Sequence, residues 1–130
     1  MAAARWAQQE LLDLNPEPVI RVYAVWFNMY PSDAREKWPS TLLVDPRVMQ
    51  YWDEARAVGA RYLSALPSIV PRRAAATLPP ITDAPLWDAY FVYPPGDLWR
   101  EPVPIPAVWG YPIMVTRNEA LSTVKALLSK

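Results

Sequence analysis

The chain of 130 residues contains no cysteine and no histidine. Those absences remove the thiol nucleophile, thiol–disulfide exchange, the imidazole base, and metal sites built from the usual soft or borderline ligands. Glycine occurs only three times, too few for a glycine-rich phosphate loop, and no serine lies in a nucleophile-elbow sequence. An excess of either charge is missing as well, since thirteen Lys and Arg balance thirteen Asp and Glu. No net field draws the chain to phosphate backbones or anionic lipid, and Arg72-Arg73 is too short for a basic patch, so nucleic acid is not an expected partner. No apolar run is long enough to span a bilayer, and residues 1–10 lack the apolar core of a signal peptide. The expectation is a cytoplasmic single domain over residues 1–130, large enough for a hydrophobic core. No catalytic, cofactor-binding or metal-ligating residue is assigned.

Proline, by contrast, is abundant. Sixteen are present, but no two stand three apart, which removes a P-x-x-P polyproline ligand. Ala3, Ala7, Leu11 and Leu14 recur at helical spacing and predict a helix over 3–14, stopped by Asn15-Pro16-Glu17-Pro18. Residues 19–30 (VIRVYAVWFNMY) are β-branched and aromatic, the pattern of a parallel, interior strand covered on both faces. Asp33 with Glu36 has capping-box spacing and predicts a short helix at about 33–38. Asp45-Pro46 is a stronger start signal. It predicts a long helix from Pro46 to about Leu66, with Val48, Trp52, Ala55, Val58 or Gly59, Tyr62 and Leu66 on its apolar face.

Five prolines within 67–85 predict a long surface loop. Residues 87–93 and 107–115 read as two strands of a hairpin with a wide, proline-rich connection, and Pro112 argues for an edge position for the second. Thr116-x-x-Glu119 then reads as a capping box opening a last helix, with Leu121, Val124, Leu127 and Leu128 as its apolar stripe.

The segments ARWAQQELLDLNPEPVIRVYAVWFNMYPSDAR, LLVDPRVMQYWDE and LWDAYFVYPPGDLW resemble a group of functionally uncharacterised bacterial thioredoxin-like proteins, over roughly residues 5–128. The resemblance implies an α/β fold of thioredoxin-like class, a βαβ-ββα derived sheet with flanking helices. It places a first strand and a Cys-x-x-Cys turn ahead of the first helix, where this chain has Met1-Ala2-Ala3-Ala4, so no active residue carries over. It also implies a cis-proline just before the second-to-last strand. Pro85 is the nearest position, with an ordinary trans loop bond as the alternative. A missing first strand opens the middle of the sheet between 19–30 and 87–93. Such an unpaired edge is filled by strand closure, by self-association or by a partner segment.

Seven Trp and seven Tyr are conspicuous in a chain of this length. Trp26, Trp52 and Trp87 fall on predicted buried faces, whereas Trp38, Trp99 and Trp109 lie nearer loops or edges and form the candidate contact surface. Among carboxylates, Asp53-Glu54 are adjacent and point apart. Asp97 and Glu101 read as solvated loop charges rather than a hard-cation site. Asp88 stands in an otherwise apolar strand, where it is either exposed or a buried acid in need of a partner. Three functions follow from these residues: a redox-inactive structural or protein-binding domain, a thiol–disulfide oxidoreductase whose Cys-x-x-Cys lies outside this chain, or a sugar or small-ligand binder using surface tryptophans.

Overall fold

An alanine-rich start favours helix, and helix α1 spans Ala2–Trp6 before continuing as a π turn over Ala7–Leu12. The computed structural model describes residues 2–17, 19–28, 34–37, 40–79, 86–100 and 102–130. These divide into two compact units, Met1–Val58 and Gly59–Lys130. The architecture is mixed α/β, with two small sheets among the described residues. Trp38 and Pro85, two of the positions singled out from sequence, lie outside the described residues.

In the first unit the π turn changes which residues face inward. Asp13 N–H donates to the Gln8 carbonyl at 2.9 Å, five residues back, and this wider turn lets a 3.6-residue register slip. Ala4, Trp6 and Leu12 are the buried residues, with Ala7 packed against the Ala4–Leu12 cluster, while Leu14 is exposed. The expected stripe of Ala3, Ala7, Leu11 and Leu14 is therefore displaced. Strand β1 (Val22–Trp26) pairs in parallel with β2 (Val48–Trp52), Val22 opposite Val48 and Trp26 opposite Trp52. Parallel pairing was expected of β1; cover on both faces was not met, because Tyr23 is exposed. Val22, Ala24, Trp26 and Val48 turn inward onto the Ala4–Leu12–Leu43 cluster.

Strand β2 corrects the long helix expected from Pro46. Asp45 does not cap a helix. Its Oδ1 accepts the Arg47 backbone N–H at 2.9 Å, two residues on, and its carbonyl accepts the Val48 N–H at 3.0 Å. The side chain thus closes a tight turn, the competing use of an Asp near a proline. The helix starts eleven residues later, as α2 (Ala57–Ile69). There Asp53 does the capping: its Oδ2 accepts the Val58 N–H at 2.8 Å while Arg56 takes a left-handed φ of 56°.

The guanidinium of Arg47 ties this unit together. Nε and Nη2 grip both oxygens of Asp45 at 2.9 and 2.7 Å. Nη2 also donates to the Leu12 carbonyl at 2.9 Å, and Nη1 to the Asn15 and Glu17 carbonyls at 2.5 and 2.8 Å. All five N–H donors of the side chain are used. They satisfy the Leu12 carbonyl at the end of the π turn and two carbonyls in the segment that follows it. From the other direction, Gln8 Oε1 accepts the Val44 and Asp45 N–H groups at 3.1 and 3.3 Å.

In the second unit, α2 runs through Pro67 to Ile69, past the predicted end at Leu66. Residues 70–79 are largely exposed and irregular, as the surface-loop reading expects, but they are anchored to the sheet. After a 3₁₀ turn at Val70–Arg72, Arg73 bridges in parallel to Trp109, Ala74 N–H donates to the Trp109 carbonyl at 2.8 Å, and Leu78 N–H donates to the Tyr111 carbonyl at 3.0 Å. On the opposite side β4 (Val108–Gly110) pairs antiparallel with β3 (Tyr90–Val92), as the hairpin reading expects. In this two-stranded sheet β4 is an edge strand, as the Pro112 reading expects, with a single bridge to Arg73 along its outer side. The strand ends before Pro112, which sits at the N-cap of α3 (Ile113–Leu128) after a cis Tyr111–Pro112 bond.

Helix α3 consequently begins one turn earlier than the Thr116 capping box predicts. Thr116 is fully buried inside the helix, and its hydroxyl donates to the Pro112 carbonyl at 2.8 Å. Thr116 and Ala120 form the buried face, while Leu121, Val124 and Leu127 are only half-buried and Leu128 is exposed.

Two predictions follow from this packing. A Cβ built on Gly110 meets Thr116 Oγ1 and lies 2.6 and 2.7 Å from the Tyr90 ring. Gly110→Ala is therefore expected to cost about 1–3 kcal/mol through overpacking, read as a lowered denaturation midpoint at unchanged m. For the clasp, Arg47 holds the Asp45 carboxyl well below its usual value, at about 2 against 3.8. A depressed carboxylate adds stability above its unfolded pKa, and that contribution disappears as pH falls from about 3.8 toward about 2. Arg47→Lys, a point charge without the planar fork, is expected to return Asp45 toward 3.8 and flatten that acid limb. Carboxyl NMR titration alongside acid unfolding measures both.

Candidate functional site

Trp109 and Trp99, the two described members of the sequence-predicted surface, separate in the structure. Trp109 is 1% exposed and belongs to the core of the second unit. Its Nε1–H donates to the Ile69 carbonyl at 2.8 Å, and its ring stacks on Phe91, its cross-strand partner, at 6.2 Å. It is a core residue and forms no part of an exposed surface. Trp99 is 50% exposed. It lies on the long connection from β3 to β4 together with Leu98 and Ile105, which are also exposed.

Trp99 is nonetheless held in a defined orientation. Its Nε1–H donates to the Tyr62 hydroxyl at 3.2 Å, the Tyr62 and Tyr93 hydroxyls are 2.9 Å apart, and Tyr93 donates to the Pro104 carbonyl at 3.1 Å. A hydroxyl has one proton. Since Tyr93 gives its proton to Pro104, the Tyr62–Tyr93 bond must run from Tyr62 to Tyr93. The chain therefore has one direction, Trp99 to Tyr62 to Tyr93 to Pro104, and successive bonds of this kind polarise one another. Burial pushes the Tyr93 hydroxyl far above its ordinary value, so the donor stays protonated.

Beneath the chain, Tyr62 stacks on Phe91 with centroids 3.7 Å apart, and the Trp99 ring is tilted 59° to Tyr62 at 6.3 Å. Helix α2 contributes Tyr62, β3 Phe91, and the connection Tyr93, Trp99 and Pro104. Tyr62 appeared in the sequence reading only as a buried helix position. Its spacing from Leu66 shows that it faces inward, but nothing local to residue 62 indicates that its hydroxyl would meet residues 93 and 99.

The chemistry of this surface follows from its polar inventory. Every hydrogen of the three aromatic tips is directed inward along the chain, so the exposed part of Trp99 offers an apolar π face and no donor. Such a plate suits apolar groups. A sugar site needs hydrogen-bonding groups beside its stacking ring, and here the nearby tips are already engaged.

Other sites have less to offer. A cleft of about 370 Å³ in the first unit is lined by Leu12, Asp13, Pro16, Asp45, Pro46 and Arg47, but the arginine at its wall has no donor left for an anion. A second cleft of about 290 Å³ includes Asn28, Glu36, Trp52 and Glu54. The Asn28 Oδ1 has no hydrogen-bond partner but is sealed from solvent, out of reach of a ligand. Asp88 stands at a bend before β3 rather than within it, half-buried, with a left-handed φ of 52°. Burial raises its carboxyl, against a lowering by the Ile113 N–H at the start of α3. No three carboxylates among the described residues come together as a metal site, and no described helix is long and apolar enough to cross a membrane. No protein-family model matches the chain, nor does any curated protein or solved structure.

Tyr62→Phe removes the middle of the chain while keeping the Phe91 stack. It is expected to cost about 1 kcal/mol and to free the Trp99 indole, seen as faster exchange of its Nε1–H by NMR. Trp109, bonded to Ile69 instead, should keep its slow exchange.

Proposed function

We propose that this chain is a redox-inactive protein-binding domain that captures an apolar polypeptide segment on the Trp99 surface. The single observation that carries the reading is the half-exposed indole fixed by its N–H to Tyr62. A large aromatic side chain exposed to water but denied rotational freedom binds with little further loss of entropy, which is how aromatic anchors gain affinity. Leu98 and Ile105 on the same connection extend the apolar character of the surface. With no cysteine or histidine in the chain, the proposal contains no redox step. The order β3, β4, α3 is compatible with the thioredoxin-like ancestry, which belongs to the same proposal.

Selection of a random peptide library on the immobilised chain tests this reading. Enriched peptides are expected to share apolar residues, to change the intrinsic tryptophan fluorescence on binding, and to lose about tenfold or more in affinity for Trp99→Ala, equivalent to about 1.4 kcal/mol. Peptides that bind Trp99→Ala equally well, or no enrichment at all, would overturn it. A panel of mono- and disaccharides should leave the fluorescence unchanged.

A further inference from the structure

Parallel strands are ordinarily covered on both faces, because the crossover between them brings a layer to the sheet. One face of the β1–β2 pair is covered by the Ala4–Leu12–Leu43 cluster. On the other, Tyr23, Met49 and Tyr51 are 59, 47 and 46% exposed. The register sets Tyr23 beside Met49 and Val25 beside Tyr51, so these four side chains form one contiguous apolar block. The Tyr51 hydroxyl reaches the Met49 sulfur at 3.9 Å and otherwise faces water. The block has a charged group at each end. Arg21, exposed and in phase with Tyr23 and Val25, precedes it on β1. Asp53, in phase with Met49 and Tyr51, and the exposed Glu54 follow directly after the end of β2.

A face with a cation at one end and carboxylates at the other becomes its own electrostatic complement when turned end for end. We propose that this face pairs with the same face of a second copy, strands antiparallel across a two-fold axis. Arg21 of each copy then meets Asp53 and Glu54 of the other, and the two apolar blocks cover each other. An isologous contact of this kind needs only one self-complementary patch. Two strands of five residues, with a rise of about 3.3 Å per residue and a spacing of about 4.8 Å, present far less than the roughly 800 Å² per partner of a standard interface. The dimer is accordingly reversible and concentration-dependent. It does not depend on the Trp99 surface.

Sedimentation equilibrium of the full chain up to about 1 mM, the concentration corresponding to about −4.1 kcal/mol of association, tests the pairing. The average mass is expected to rise from 14.8 kDa toward twice that value, and to rise less as salt is added. Tyr51→Glu should remain monomeric throughout. Arg21→Glu and Glu54→Arg should each weaken association about tenfold, and the two together should restore it. Both charged positions are exposed, which keeps the swap informative should Tyr51→Glu fold poorly. A wild-type chain that stays monomeric overturns the proposal, as does a dimer indifferent to these changes. Single swaps that weaken association without rescue by the double variant exclude the antiparallel arrangement. Trp99→Ala should leave the association unchanged, so failure of the peptide-binding reading is distinguishable from failure of this one.

Discussion

A buried aromatic side chain with a polar tip stabilises a fold only if the tip finds a partner, and this constraint shapes both units. The cost of an unpaired buried donor, about 1–3 kcal/mol, rivals the gain from burying the ring. Trp26 meets it through Gln50, which in turn binds the Leu43 carbonyl. Trp109 meets it through Ile69, and Tyr90 through the Thr116 carbonyl. These bonds join distant parts of the chain. They fix β1 against β2 and the end of α2 against β4, so the polar tips determine register where the small sheets supply few ladder bonds. Trp6 is the exception among the described residues, its buried Nε1 having no partner.

The same constraint separates the surface tryptophan from the core tryptophan. Trp99 and Trp109 occupy comparable settings in the sequence, each beside a proline-rich stretch. Trp109 donates to a main-chain carbonyl at the end of α2 and is drawn inside. Trp99 donates to a side-chain hydroxyl, which can be reached from the rim, and half of its ring stays in water. Sequence reading identified Trp99 but could not separate it from Trp109, because the partner of each lies 37 or 40 residues away.

Where sequence reading succeeded and where it failed has a common physical cause. The hairpin of β3 and β4 and the final helix were legible, since β-branched and aromatic runs followed by a helical stripe are local patterns. Strand β2 was not. Val48, Trp52 and Ala55 fit a helical face, and an outward Met49 and Tyr51 hide the alternation that would identify a strand. Asp45 then offered a cap but was taken by Arg47, a choice decided by carbonyls at Leu12, Asn15 and Glu17, some thirty residues earlier. One proline misled for a related reason. Pro67 is tolerated within α2, which runs on to Ile69, and the exposed segment after it is tied at Ala74 and Leu78 to the Trp109 and Tyr111 carbonyls.

Gly110 illustrates a consequence beyond stability. A strand backbone, a tyrosine ring and a threonine hydroxyl share a space that admits no extra carbon at that point, so the three positions form one unit of inheritance. A larger residue at 110 becomes acceptable only when Tyr90 and Thr116 shrink or turn away together. Drift at any of the three is therefore coupled to the others, and in descendants of this chain the trio should change as a set or not at all.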